Sequence, residues 1–395
     1  MAERWLVMAH EATNSGAPRM LLRVLQGVRA ARGAGWSCEI LLRRGGALRG
    51  EFERFGPVRV LADPRAEGRS WAAGVFRKLI DRPWLQPRRL ARVARRWTPG
   101  AFDVVYNNTA TNGDMVAAAR RLGCPLVTHV HELGSFLRRF HTPREIAHTL
   151  ENTDRFIAVS PAVARDLADL GVKKRSIAVV PNFLPELPRA VAADEAGAIR
   201  RRLGLADGTA LVLGCGHIHP IKGTDLFVDL AARLGQRGAR EVCCVWLGGE
   251  TDRRFAAELR REVARRGLAK VVRFLGAVDD VTAWLAAADV VAVTSREESF
   301  SLVALEAAAA GRPVVGFAAA RGLEVLLGET PDLLVDDFTA AAMAQRIEAL
   351  LVDEAQARRI GGRLRARVAD DFLASRRIPE ILAVVDEVRR ERTAR

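Results

Sequence analysis

The chain has 395 residues, of which 49% are hydrophobic and 27% charged, and its formal net charge is +14. Such a length predicts two or three domains with sizeable cores, and the composition excludes a disordered or low-complexity chain. No apolar run reaches the ~18 residues of a membrane span, because Glu306 and Arg312 break the longest one, 302–320.

The first twenty residues carry Glu3, Arg4, His10 and Glu11, so they do not read as a signal peptide. The five cysteines (Cys38, Cys124, Cys215, Cys243 and Cys244) are odd in number and form no C-x-x-C. They read as reduced, mostly buried thiols of a cytosolic protein, with no structural zinc site. Only five of the 61 basic residues are Lys. Part of the Arg excess reads as codon bias; the remainder favours anionic partners such as nucleotide phosphates, anionic lipid or nucleic acid.

In chain order, the first strand is expected at 5–10, followed by a turn with Asn14, Ser15 and Gly16. A helix follows from Pro18, with Leu21, Leu22, Leu25 and Val28 on one face and Gly33 at its end. Strands are expected at 38–42, 58–62, 103–108, 125–130, 156–160 and 177–181, with helical stretches between most of them. The segment 181–197 holds three prolines and has no periodicity, which predicts a linker or hinge. The rhythm restarts with strands at 210–215, 242–248, 271–276, 290–295, 313–317 and 333–335, and two or three helices follow from Ala340. Apolar strands alternating with helices predict parallel sheets covered on both faces. The expected fold class is therefore α/β, as two doubly wound Rossmann-like domains with a ligand cleft between them and ligands at the carboxyl ends of the strands.

One stretch departs from that rhythm. Residues 63–100 place Trp71, Phe76, Trp84 and Trp97 among ten Arg and Lys residues, eight of them between Arg77 and Arg96. The favoured reading is a solvated helical insertion whose aromatics pack on the domain. The alternative is contact with an anionic membrane surface through residues 71–97.

Four segments carry chemistry. In the first, 294–315, a strand ends, a polar loop follows, and a helix starts near Ser301. The unpaired N–H groups of that helix suit a diphosphate. Glu298 in the loop and Glu306 in the helix are spaced Glu-x7-Glu, and each carboxylate can grip a vicinal diol of one extended ligand. Glu306 stands among Leu302, Val303, Leu305 and four alanines, where an acid is either paired or bound to something. In the second, 211–227, a strand ends in Gly214 and Gly216, and Lys222-Gly223 is expected to open the next helix, well placed for phosphate. Neither a Walker A motif nor G-x-G-x-x-G is present. The third, 13–22, places Gly16 in a strand-to-helix loop where a sugar or phosphate can approach. In the fourth, 128–133, His129 and His131 share one face of a strand, and His131 or Glu132 is expected to line the cleft. No third metal ligand follows at suitable spacing. No Asp-x-Asp occurs in the chain. Leaving phosphates would then be neutralised by Lys, Arg and helix dipoles.

Taken together, these segments resemble glycosyltransferase family 4, a GT-B-fold group of retaining enzymes using nucleotide sugars. Residues 274–315 are similar to that family's signature nearly throughout, and 214–231 resembles its phosphate-binding strand–loop–helix. Segments 154–167 and 179–184 match the approach to its hinge. Segments 15–22 and 127–133 are looser matches. The resemblance implies that Lys222 binds the donor diphosphate, Glu306 the ribose and Glu298 the donor sugar. It implies that amides of Phe300, Ser301 and Leu302 cap the phosphates and that His131 lies near the transferred sugar. The expected catalytic set is thus His131, Glu298 and Lys222. The expected donor contacts are Gly16, Gly216, His217, Lys222, Glu298, Ser299, Phe300, Ser301, Leu302 and Glu306. Two departures stand out. His217 occupies a position that is Arg in many members, and Ser299 and Ser301 replace the usual glycines around Phe300.

The expected domains are 1–185 on the acceptor side, with a helix at about 375–395 packing back on it, and 186–374 for the nucleotide sugar. The expected activity is retaining, metal-independent transfer from a nucleotide-diphosphate sugar, such as a UDP- or GDP-sugar, to a hydroxyl of a glycan, glycolipid or small metabolite. No cofactor is expected beyond that donor, and no nucleic acid is expected as partner. The expected location is the cytoplasm, with peripheral contact at the inner face of the cell membrane through 71–97 as the alternative. The rival function is a nucleotide-sugar epimerase or non-catalytic binder on the same fold.

Overall fold

In a computed structural model the chain is described over residues 2–62, 86–237 and 240–393. It divides into two compact units, Met1–Pro185 with Ala374–Arg395, and Glu186–Leu373.

Among the described residues, the first unit holds a seven-stranded parallel sheet. Its strands are β1 (Glu3–Ala9), β2 (Trp36–Arg44), β3 (Val58–Ala62), β4 (Val104–Asn107), β5 (Leu126–Val130), β6 (Arg155–Ala158) and β7 (Ile177–Val179), in the order β3-β2-β1-β4-β5-β6-β7. β4 and β5 are buried at every position, as strands covered by helices on both faces must be. The order reverses between β1 and β4, so the loops leaving these two strands diverge and open a crevice at their carboxyl ends. The helix Gly16–Arg32 starts two residues before the expected Pro18, with Ser15 in the extended N-cap conformation. Gly33, at φ 57, ends it.

The last helix, Ala374–Thr393, packs on Gly16–Arg32 through a glycine. A Cβ on Gly27 would stand 2.3 Å from Cγ1 of the buried Ile378. Arg32 donates to both oxygens of Asp386, at 2.5 and 2.6 Å, and Arg389 lies 3.1 Å from Glu3. Gly27→Val is therefore expected to overpack this seam and cost about 1–3 kcal/mol, read as a lower urea midpoint with unchanged slope.

The second unit holds a six-stranded parallel sheet among the described residues. Its strands are β8 (Ala210–Cys215), β9 (Val242–Leu247), β10 (Val272–Gly276), β11 (Val290–Val293), β12 (Val314–Phe317) and β13 (Leu334–Val335), in the order β10-β9-β8-β11-β12-β13. Its reversal lies between β8 and β11. Three helices follow from Ala340, namely Ala340–Val352, Glu354–Asp371 and the Ala374–Thr393 helix of the first unit.

Residues 71–85 of the membrane alternative lie outside the described residues. Beyond them, Gln86–Ala94 is helical, and Trp97 packs with Val93 against a core cluster that includes Leu90, Phe102 and Leu122. No described helix is long and apolar enough to cross a membrane.

Candidate functional site

The switch point of the second sheet gathers most of the expected donor residues. β8 runs out through Gly214, where a Cβ would stand 2.5 Å from the Trp246 ring. Trp246 Nε1 donates to the Gly216 carbonyl at 2.8 Å, pinning this loop to β9. Gly216 has φ 149, which favours glycine. His217 is exposed.

A short 3-10 turn, Pro220–Lys222, follows, and His219 Nδ1 accepts from the Ile221 amide at 3.1 Å. Lys222 thus closes this turn instead of opening a helix as expected; the helix Thr224–Arg237 starts two residues later. The cause is Gly223, at φ 62, whose missing side chain lets it lie against β11. A Cβ there would be 1.9 Å from the Thr294 carbonyl oxygen. Thr294 Oγ1 donates to the Lys222 carbonyl at 3.1 Å, and the Arg296 amide donates to the Ile221 carbonyl at 2.8 Å. Arg296 also forks onto Asp225, at 2.8 and 2.6 Å. This bidentate pair with Asp225 fastens the β11 loop to the turn that carries Lys222.

That fastening brings together two residues 76 positions apart. Lys222 Nζ donates to Glu298 Oε1 at 2.7 Å, and Ser295 Oγ donates to the same oxygen at 2.7 Å. Glu298 is 7% exposed, whereas the Lys222 side chain is 35% exposed, so the carboxylate sits behind the ammonium. The family resemblance implies that these groups meet different parts of one ligand; the structure adds that they form a direct ion pair with each other. An ammonium has three hydrogens, so two remain for a ligand. Glu298 Oε2 makes no hydrogen bond among the described residues and remains available as an acceptor.

Beyond Glu298 the backbone turns into the helix Leu302–Ala309, with Ser301 as N-cap accepting from the Ala304 amide at 3.3 Å. Phe300 is buried against Phe372, ring centroids 5.9 Å apart. Gly322 lies under Ser299, where a Cβ would stand 2.5 Å from the Ser299 carbonyl carbon. These contacts fix the loop that aims the amides of Ser301 and Leu302. Glu306 is half-buried on this helix, whose other face buries Ala304, Leu305 and Ala307 through Ala309.

The first unit builds a second polar cluster at its own switch point. Gly16 is the first residue of its helix, after a loop in which Thr13 Oγ1 donates to Glu11 at 2.6 Å and contacts Ser15 Oγ at 3.0 Å. The His10 imidazole and the Thr13 hydroxyl hold the Glu11 carboxyl down at about 2. At the end of β5, His129 is fully buried, with Nδ1 2.8 Å from the Tyr106 hydroxyl, and burial pushes it down to about 3. The His131 ring lies tilted by 38° against that of His129, with centroids 4.3 Å apart. Its Nε2 lies 3.1 Å from Asn108 Oδ1. Burial, aided by His129 and His10, holds it well below the usual histidine value, so the ring is neutral at pH 7.

Glu132 does not act as a free cleft carboxylate. It accepts from the amides of Ala110 and His131, both at 3.1 Å, and from the Thr109 hydroxyl, and so braces the loop after β4. The sequence reading took 103–108 only as a strand and missed Asn108. The signal was present in the polar run Asn107-Asn108-Thr109 directly after an apolar strand. Among the described residues no group of three His, Cys, Asp or Glu side chains is arranged to hold a metal ion.

Residues 209–353 match the family Glycosyl transferases group 1, and residues 16–185 match Glycosyltransferase Family 4. The chain is 32% identical over 288 residues to a D-inositol 3-phosphate glycosyltransferase of Xylanimonas cellulosilytica, covering 68% of this chain and 68% of that protein. It is 33% identical over 273 residues to the protein of the same name from Geodermatophilus obscurus, covering 64% of this chain but only 60% of that relative's length. In three dimensions it is similar to Anabaena HepE in complex with UDP and glucose, with a TM-score of 0.81 at 21% identity over 98% of this chain and 100% of that one.

Proposed function

The chain belongs to glycosyltransferase family 4 and has the GT-B fold of that family, and from this premise we propose that it transfers a sugar, with retention, from a nucleotide-diphosphate sugar to an acceptor hydroxyl without a metal ion. The single observation that carries the reading is the Lys222–Glu298 pair at the β8/β11 switch point, beside the N-terminus of Leu302–Ala309. A diphosphate leaving group gains negative charge as the glycosidic bond breaks. The two free ammonium hydrogens of Lys222 and the helix-end amides of Ser301 and Leu302 supply fixed positive potential there. Oε2 of Glu298 accepts a hydroxyl of the donor sugar, and Glu306 holds the ribose diol.

In the first unit, His131 presents a neutral imidazole to a sugar hydroxyl, and Gly16 leaves room at the start of its helix. The named relatives make D-inositol 3-phosphate the first acceptor to test, and the UDP and glucose bound by HepE make UDP-glucose the first donor. UDP- and GDP-sugars incubated with and without D-inositol 3-phosphate test the proposal. Nucleotide diphosphate release that rises with acceptor and yields a glycosylated product supports it; interconversion of the sugar without release overturns it in favour of an epimerase.

Glu306→Ala is expected to weaken nucleotide-diphosphate binding about tenfold or more, since each charged hydrogen bond to a hydroxyl contributes about 1.5–3 kcal/mol, while the melting temperature stays near that of the parent chain. Calorimetric titration with UDP and GDP checks this. Unchanged affinity for both would refute the ribose assignment.

A further inference from the structure

The cluster at the end of β4 fixes more than the position of His131. Asn108 is buried, and its Nδ2 donates to the Ala17 carbonyl at 2.9 Å. A carbonyl oxygen only accepts, so the amide nitrogen must lie on the Ala17 side. The other end, Oδ1, therefore faces Nε2 of His131 at 3.1 Å. Oδ1 carries no proton, so the ring nitrogen supplies it. The neutral ring then has its hydrogen on Nε2 and a bare lone pair on Nδ1. Nδ1 has no hydrogen-bond partner among the described residues.

We propose that Asn108 is a positioning residue that locks His131 in its Nε2–H tautomer, so that Nδ1 can only accept, and that the His131 subsite thereby selects a ligand hydroxyl over an anionic oxygen. A hydroxyl donates into that lone pair; a phosphate or carboxylate oxygen meets it lone pair to lone pair. Groups around the ring keep it neutral. The tilted ring of His129 lies against it from β5, and His10 at the end of β1 opposes a positive charge. Glu132 is turned away to the main-chain amides and Thr109, and Glu11 is engaged with His10 and Thr13. The inference also explains why Asn108 spans from β4 to Ala17. One amide registers the start of the Gly16–Arg32 helix against the histidine, so the loop at Gly16 and the acceptor atom Nδ1 hold a fixed relation. The assignment deepens the reading of His131 as a sugar-facing residue and rests on it for its purpose, but its test does not depend on turnover.

The test is long-range proton–nitrogen NMR of the full-length 15N-labelled chain, which separates Nε2–H, Nδ1–H and imidazolium patterns. The chain has seven histidines, and His131→Gln identifies the signals lost. The expected pattern for His131 is Nε2–H at neutral pH, unchanged on acidification to about pH 6, where an unperturbed histidine titrates. Asn108→Ala is expected to give a mixture of tautomers. Asn108→Asp places a carboxylate against Nε2–H and is expected to bring in the imidazolium near neutral pH, and it serves if the alanine variant does not fold. An Nδ1–H or imidazolium pattern in the parent chain overturns the proposal, as does an unchanged Nε2–H pattern in both Asn108 variants. If the NMR result holds while no sugar transfer is found, the tautomer assignment stands and the proposed activity falls.

Discussion

Replacing Lys222 by Ala is expected to lower kcat by about 10²–10³, with a smaller loss of donor affinity, the scale set by removing one preorganised electrostatic group. The ammonium is preorganised by its bond to Glu298, which fixes the end of an otherwise flexible side chain. Its attraction to the diphosphate strengthens as that group takes on charge, so its contribution is larger in the transition state than in the ground state. His217, where many family members carry Arg, is exposed, and Arg296 is committed to Asp225. Steady-state kinetics with saturating acceptor separate kcat from KM. A variant within a few-fold of the parent kcat would show that the phosphates are neutralised elsewhere.

Glu298→Ala is expected to cost a similar factor in kcat while UDP affinity changes little, because the carboxylate is assigned to the sugar and not to the nucleotide. Two effects combine. The sugar loses the acceptor Oε2, and Lys222 loses the partner that holds it. The second effect makes the two sites non-additive: contacting residues that act as a unit do not lose their contributions independently. The Lys222→Ala/Glu298→Ala double variant should therefore fall far short of the product of the single losses. Full additivity would mean that the ion pair has no part in positioning Lys222. Gly223 offers an independent check on the same geometry. Any Cβ there meets the Thr294 carbonyl oxygen at 1.9 Å, so Gly223→Ala should displace Lys222 and reduce kcat without touching a ligand-binding group.

How far the sequence is legible differs between local and long-range features. The strand 210–215 is found as expected because an apolar run bounded by Gly208 and Gly216 has few alternatives. The start of the first helix was misplaced by two residues because Pro18 suits a first turn, while the loop conformation at Ser15 had already opened it. The Lys222 error has the same local character: a left-handed Gly223 ended a 3-10 turn where a helix start was read. Long-range pairs were not legible. Lys222 meets Glu298 only because β8 and β11 are neighbours in the sheet although two strands lie between them in sequence. Asn108 meets His131 across the β4–β5 pair. Residue type singles out both members of the first pair and only His131 of the second; the fold supplies the pairing in each case.

Metal-free transfer with retention from a nucleotide sugar is tested by the anomeric configuration of the product formed in excess EDTA. With an α-linked UDP- or GDP-sugar and an accepted hydroxyl compound, proton NMR of the purified product should show an α-linkage, together with stoichiometric release of the nucleotide diphosphate. A β-linked product would rule out retention, and loss of all transfer on chelation that added divalent metal restores would rule out a metal-free reaction.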